Sequence, residues 1–123
     1  MNQARIAEIF LLISGEESET PFMDIIYLAM HETDSMLRPG VDISDIRLSF
    51  LAAAIANYRL QQMYAARERS AVTYAGKLPK QPKNIACKCA GEIVKDYMRI
   101  CESMLKVSDF VFSSFSGRGE EIK

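Results

Sequence analysis

The sequence holds no tryptophan and a single histidine, His31. Its cysteines, Cys87, Cys89 and Cys101, are an odd number, so they do not form a closed disulfide framework. Cys87 and Cys89 sit two apart in a helical pattern and point to different faces, a poor zinc clamp, so all three are read as free thiols serving as small apolar residues. No glycine-rich phosphate loop occurs, because Gly76-Lys77 lacks both the leading glycine and the following serine or threonine. No G-x-S-x-G, H-E-x-x-H or paired-cysteine zinc spacing is found, and the apolar stripes carry almost none of the converging polar residues that catalysis or metal binding needs. Long apolar runs are missing too. The longest, LSFLAAAIA at residues 48–56, is bounded by Arg47 and Asn57 and falls well short of the ~20 residues that span a bilayer. Glu8 interrupts the approach to the apolar residues 9–13 and no small-residue cleavage site follows, so a cytoplasmic protein without a targeting segment is expected. Repeats, heptad arrays and low-complexity segments are absent as well.

What is present suits one folded unit. The chain has 123 residues, 49% hydrophobic and 25% charged, enough to bury a core without staples. A single helical domain over residues 1–116 with a flexible tail at 117–123 is expected. The net charge of −1 conceals a division. Residues 1–45 carry nine acids and two bases, a net of −7, whereas residues 67–88 carry six bases and one acid, a net of +5. Such polarity marks an interaction surface, or else the fold brings the two regions together to neutralise each other.

Apolar spacing predicts four main helices. Ile6, Ile9, Phe10 and Ile13 define a first helix over residues 2–13, ended by Ser14-Gly15. Thr20, Pro21 and Asp24 open a second, with Phe22, Ile25, Ile26, Ala29 and Met30 as its buried stripe, continued by Met36 and Leu37; Arg38 and Pro39-Gly40 close it. Asp42 or Ser44 caps a third, with Ile43, Ile46, Phe50, Leu51, Ala54, Ile55, Tyr58 and Met63 spaced for burial, running to about Arg69. Its Ala52-Ala53-Ala54 run is apolar nearly all round and marks a central helix with neighbours on several sides. Asn84 caps the fourth, whose stripe is Ala86, Cys89/Ala90, Ile93, Tyr97, Ile100/Cys101 and Met104. Beyond it, residues 107–112 and Phe115 read as an arm that packs aromatic side chains against the bundle.

One passage breaks this rhythm. TYAGKLPKQPKN, residues 73–84, holds two prolines, one glycine and three lysines with no acid. Residues 71–74 have β-branched and aromatic character, Gly76 supplies a turn, and Pro79 and Pro82 disfavour helix. The expected fold class is therefore all-α, a bundle of about four helices with one short β-hairpin or extended loop near residues 71–83.

Isolated polar residues carry little chemistry. Asn57 in the central helix reads as capping the buried stripe or bonding to a neighbouring helix rather than as catalytic. His31, between Met30 and Glu32, reads as a surface or helix-contact residue in preference to a general base. The seven methionines read as core filler first and as an adaptable partner surface second. Arg67, Arg69, Lys77, Lys80 and Lys83, interleaved with Tyr64 and Tyr74, would suit nucleic-acid phosphates and bases. The acidic pI of about 5.8, and the lack of a recognition helix carrying a row of Arg, Asn and Gln, weigh against that reading.

LSFLAAAIANYRLQQMYAARE, then TYAGKL, a last amphipathic helix and SDFVF together resemble the small all-helical head-to-tail connector (adaptor) proteins of tailed bacteriophages and prophages. Those proteins share an Ala/Tyr/Arg-rich helix, a loop or hairpin with an aromatic-x-Gly element, and a closing helix with an aromatic end. The resemblance covers roughly residues 43–112; the proline-lysine passage 77–83 departs from it. It implies a non-enzymatic structural subunit, without cofactor or metal, that assembles into a homo-oligomeric ring joining the portal protein to a tail or stopper protein around the DNA channel. The implied location is the virion, or the cytoplasm of a bacterial host carrying the prophage. The expected subunit or portal interface is Tyr74, Lys77, Leu78, Lys80, Lys83, Arg67 and Arg69, with residues 73–76 pairing through their backbone. The alternatives are a small helical nucleic-acid-binding or regulatory module and, third, a small enzyme.

Overall fold

The computed structural model describes residues 1–75 and 82–106, with side chains described for residues 1–70 and 83–106. Among them are four α-helices: α1 (Gln3–Ser14), α2 (Met23–Ser35), α3 (Ile46–Ala75) and α4 (Pro82–Ile100), with short 3₁₀ turns at Thr20–Phe22 and Glu102–Met104. The all-α class is as expected.

Local sequence explains most of the helix ends. The Asn2 side chain accepts from the Arg5 amide to start α1, and Gly15 closes it at φ 79°, a left-handed conformation in which a Cβ is strained. Pro21 sits in the 3₁₀ turn that leads into α2, and Asp24 lies in the first turn of α2. Helix α2 stops at Ser35, so Met36 caps its end and Leu37 and Arg38 belong to the linker. Asp45, rather than Asp42 or Ser44, caps α3: its Oδ1 accepts the Arg47 amide at 2.9 Å, one residue inside the helix. Asp42 instead closes the preceding turn, accepting from both the amide and the hydroxyl of Ser44.

The largest departure concerns the hairpin. Residues 71–75 continue α3, a helix of 30 residues and roughly 45 Å at 1.5 Å per residue. Helix α4 begins at Pro82, ahead of the expected Asn84 cap. A helix already nucleated gains one backbone hydrogen bond for each residue it adds, which outweighs the modest β preference of Val72, Thr73 and Tyr74. Proline at the first helical position loses no bond, since that amide has no intrahelical partner. No β-hairpin is seen among the described residues, and backbone pairing by residues 73–75 is excluded. The expected loop is thereby confined to residues 76–81, which lie outside the described residues, as do the expected arm at 107–115 and the tail at 117–123.

Helix α3 is the hub. Helices α1, α2 and α4 all pack on it, α1 and α2 also touch each other, and α4 meets no described helix but α3. Leu48 and the whole run 51–58 are buried, the alanines allowing neighbours on several sides. Phe10, Ile6, Ile26, Leu51, Ile55, Leu60, Val94 and Met98 are the largest core side chains, each stabilising by roughly 1.5–3 kcal/mol relative to exposure. Met63, Ile43 and Ile46, expected inside, are 40–51% exposed. On α4 the buried line runs Ala90, Val94, Met98, Cys101; Cys89 is exposed and Ile100 half exposed. An antiparallel bridge between Leu37 and Leu105 ties the α2–α3 linker to the chain beyond α4, through Arg38 N–H to Met104 O (2.9 Å) and Lys106 N–H to Met36 O (2.7 Å).

Candidate interaction surface at the α3–α4 end

Three of the seven expected interface residues have described side chains, and the fold gathers them. Arg67 and Arg69 lie near the end of α3, and Lys83 lies in the first turn of α4, all exposed. Tyr64 is the hub of the cluster. The Lys83 ammonium lies 5.0 Å from its ring centroid and the Arg67 guanidinium 5.9 Å, close enough for the ring quadrupole to attract both cations. Its hydroxyl donates to Glu16 Oε2 at 3.0 Å, reaching the acidic loop after α1. Burial, then the Glu16 bond, pushes the Tyr64 hydroxyl above the usual tyrosine range.

Two further bonds close the corner. Glu68 Oε1 accepts the Lys83 amide at 3.1 Å, so a carboxylate on α3 satisfies a free N–H in the first turn of α4 and opposes that helix's positive end. Arg69 Nη1 donates to Asn84 Oδ1 at 3.1 Å. Asn84, expected as the cap, instead pins the two helices together. Glu68 and Tyr64 were missed as structural ties. Glu68, the one acid among the six bases of residues 67–88, was the available signal.

Cations with and without carboxylate partners occur across the described residues, and Arg38, Lys95 and Lys106 are among those without. Arg5, Arg47, Arg59 and Arg99 each pair with a carboxylate at 2.8–3.1 Å. Arg67, Arg69, Lys83 and Lys88 pair with no carboxylate among the described residues. Ile85, beside them on α4, is 67% exposed. Among the described residues, the acidic loop after α1 reaches this cluster through the bond from Tyr64 to Glu16. Tyr74 lies in the last turn of α3; Lys77, Leu78 and Lys80 lie outside the described residues.

The other candidates are structural. Asn57 Oδ1 accepts from Gln61 Nε2 at 3.1 Å, one turn on in the same helix, so it neither caps α3 nor reaches a neighbour by this bond. His31 is exposed beside Met1, Tyr27, Met30 and Asp34 around a shallow depression. All three cysteines are free; Cys101 is buried, its thiol pushed up to about 11 chiefly by burial and donating to Arg47 O at 3.4 Å. Among the described residues, no group of His, Cys, Asp and Glu is placed to hold a metal ion, and no helix is long and apolar enough to cross a membrane. Compared with known protein families, curated proteins and solved structures, the chain matches none of them.

Proposed function

We propose that the protein is a structural connector subunit of a tailed phage or prophage, assembling as a ring that joins the portal to a tail or stopper protein. The observation that carries this reading is the polarised surface: four cations clustered at the α3–α4 end, with no carboxylate partner among the described residues, in a chain whose first 45 residues are strongly acidic. A closed ring needs two unlike, complementary patches on each subunit, and this polarity supplies such a pair. The sequence resemblance over residues 43–112 adds support, as does a single long helix wrapped by three others. The contact surface is Arg67, Arg69, Lys83 and Tyr74, extended by Lys77, Leu78 and Lys80. The role requires no catalysis, cofactor or membrane, and places the protein in the virion or the host cytoplasm.

The test replaces residues 76–81 by a Gly/Ser linker of equal length. Helical content and thermal stability should stay the same, because the described core lies outside that segment, while ring formation or portal attachment is lost in sedimentation and electron microscopy. A variant that assembles as well as the parent contradicts the reading. The same cations, with Tyr64 among them, favour nucleic-acid binding as the second reading. Tight, sequence-selective binding of duplex DNA at physiological salt would select it, whereas a connector binds duplex weakly and with a steep salt dependence.

A further inference from the structure

The seam between α3 and α4 carries an apolar strip that no described residue covers. Phe50 of α3 and Tyr97 of α4 stack across it, with ring centroids 5.5 Å apart, yet both are only half-buried. Ile46 lies four residues before Phe50 and Ile100 three residues after Tyr97, so each shares the helix face of its aromatic neighbour. Ile46 is 46% exposed and Ile100 50%. Ile93, four residues before Tyr97, is half-buried and lengthens the strip. The two isoleucines belong to the same end of the bundle, because Cys101 Sγ reaches Arg47 O there. Helices α1 and α2 do not cover α4, since among the described helices it packs on α3 alone.

The last described residue, Lys106, bonds to Met36 O at this same end. Val107, Phe110, Val111, Phe112 and Phe115 follow, five large apolar side chains with one acid, Asp109, among them. We infer that residues 107–115 cover the α3–α4 seam of their own subunit, setting their aromatic side chains against Ile46, Phe50, Tyr97 and Ile100. Reach is ample: nine residues extend up to roughly 30 Å, whereas Ile93 to Ile100 spans about 10 Å of helix. Tethering favours this occupant over a second copy. A short linker holds the segment at an effective concentration in the millimolar range, far above the micromolar concentration of any free partner. This inference does not rest on the connector reading and survives or fails apart from it.

The experiment compares the full chain with a version ending at Lys106, each with and without the paired substitutions Ile46→Ser and Ile100→Ser, which fall on half-exposed positions and leave the core intact. Melting temperature and binding of the dye 1-anilinonaphthalene-8-sulfonate are read in all four proteins. Removal of the segment should lower the melting temperature by several degrees and raise dye fluorescence several-fold, and both effects should largely vanish in the serine background. A truncation that changes neither quantity overturns the inference. So does an effect of undiminished size in the serine background, or a loss of dimers on truncation in sedimentation, which would place the segment on a second copy.

Discussion

Gly91 of α4 faces the Tyr58 ring of α3 so closely that a Cβ built on it would stand 3.1 Å from Tyr58 Cε1. Both residues are buried, so the ring has little room to retreat. Glycine inside a helix costs about 1 kcal/mol relative to alanine, and here that cost accompanies close approach of α3, the one α-helix among the described residues that α4 packs on. Gly91→Leu should destabilise the protein by about 1–3 kcal/mol through overpacking, despite leucine's better helix propensity. Urea denaturation checks this; an unchanged or raised midpoint would mean that the α3–α4 contact is looser than described.

The Tyr64 cluster predicts a graded pair of variants. Tyr64→Phe keeps the ring beneath Lys83 and Arg67 and removes only the bond to Glu16, so stability should change little. Tyr64→Leu removes the ring as well and should cost about 0.5–1 kcal/mol more, the scale of exposed cation–π contacts. Equal effects of the two substitutions in urea denaturation would show that the hydroxyl, not the ring, holds the corner.

Much of this architecture is legible in the residues, and the failures have physical causes. Gly15 ends α1 as its chemistry dictates, whereas Asn2, expected inside the helix, caps it, and Pro21 falls in the 3₁₀ turn before α2. Asp42 and Asp45 are three residues apart and both good caps, and only the tertiary path decides that Asp45 sits beside the first turn of α3. Val72, Thr73 and Tyr74 read as strand because local preference ignores the 30-residue helix already running into them. Ile43, Ile46 and Met63 fit the apolar spacing yet stay half exposed, because period alone does not say which sides of α3 have neighbours. The apolar spacing picks Ile93 and Tyr97 over Val94 and Met98 for the same reason: several registers of α4 look apolar, and contact with α3 selects the one through Ala90, Val94 and Met98. At the candidate surface, Arg67, Arg69 and Lys83 were legible as a basic group. Their convergence on Tyr64 was not, since it depends on α4 folding back along α3.

Asp45 predicts an acid response. Hydrogen bonds from the Arg47 side chain and amide hold its carboxyl at about 2, below its unfolded value near 3.9. A depressed folded pKa stabilises the native state above the unfolded pKa, and that contribution fades as pH falls from about 4 through 2. Asp45→Asn, which keeps a capping oxygen but not the charge, should flatten the fall in melting temperature over that window. A parallel pH profile for the two proteins would contradict the assignment.

Cys101 predicts the opposite limb. Its thiol titrates at about 11 because burial disfavours the thiolate. A raised folded pKa gives stability that is complete below the unfolded value, near 8.5, and is lost as pH rises toward 11. Cys101→Ala should therefore lose less stability than the parent between pH 8.5 and 11. At neutral pH, iodoacetamide should modify exposed Cys89 first and leave Cys101 unmodified until the protein unfolds.

The most direct test of the connector reading is electron microscopy of the protein mixed with a portal protein, where its genome encodes one. The parent chain should add a ring of density to the portal. The variant Arg67→Glu, Arg69→Glu, Lys83→Glu, which reverses charge on exposed side chains and spares the core, should leave the portal bare while keeping its helical circular dichroism. A portal that stays bare with the parent chain, or one that is decorated equally by the charge-reversed variant, would contradict the account.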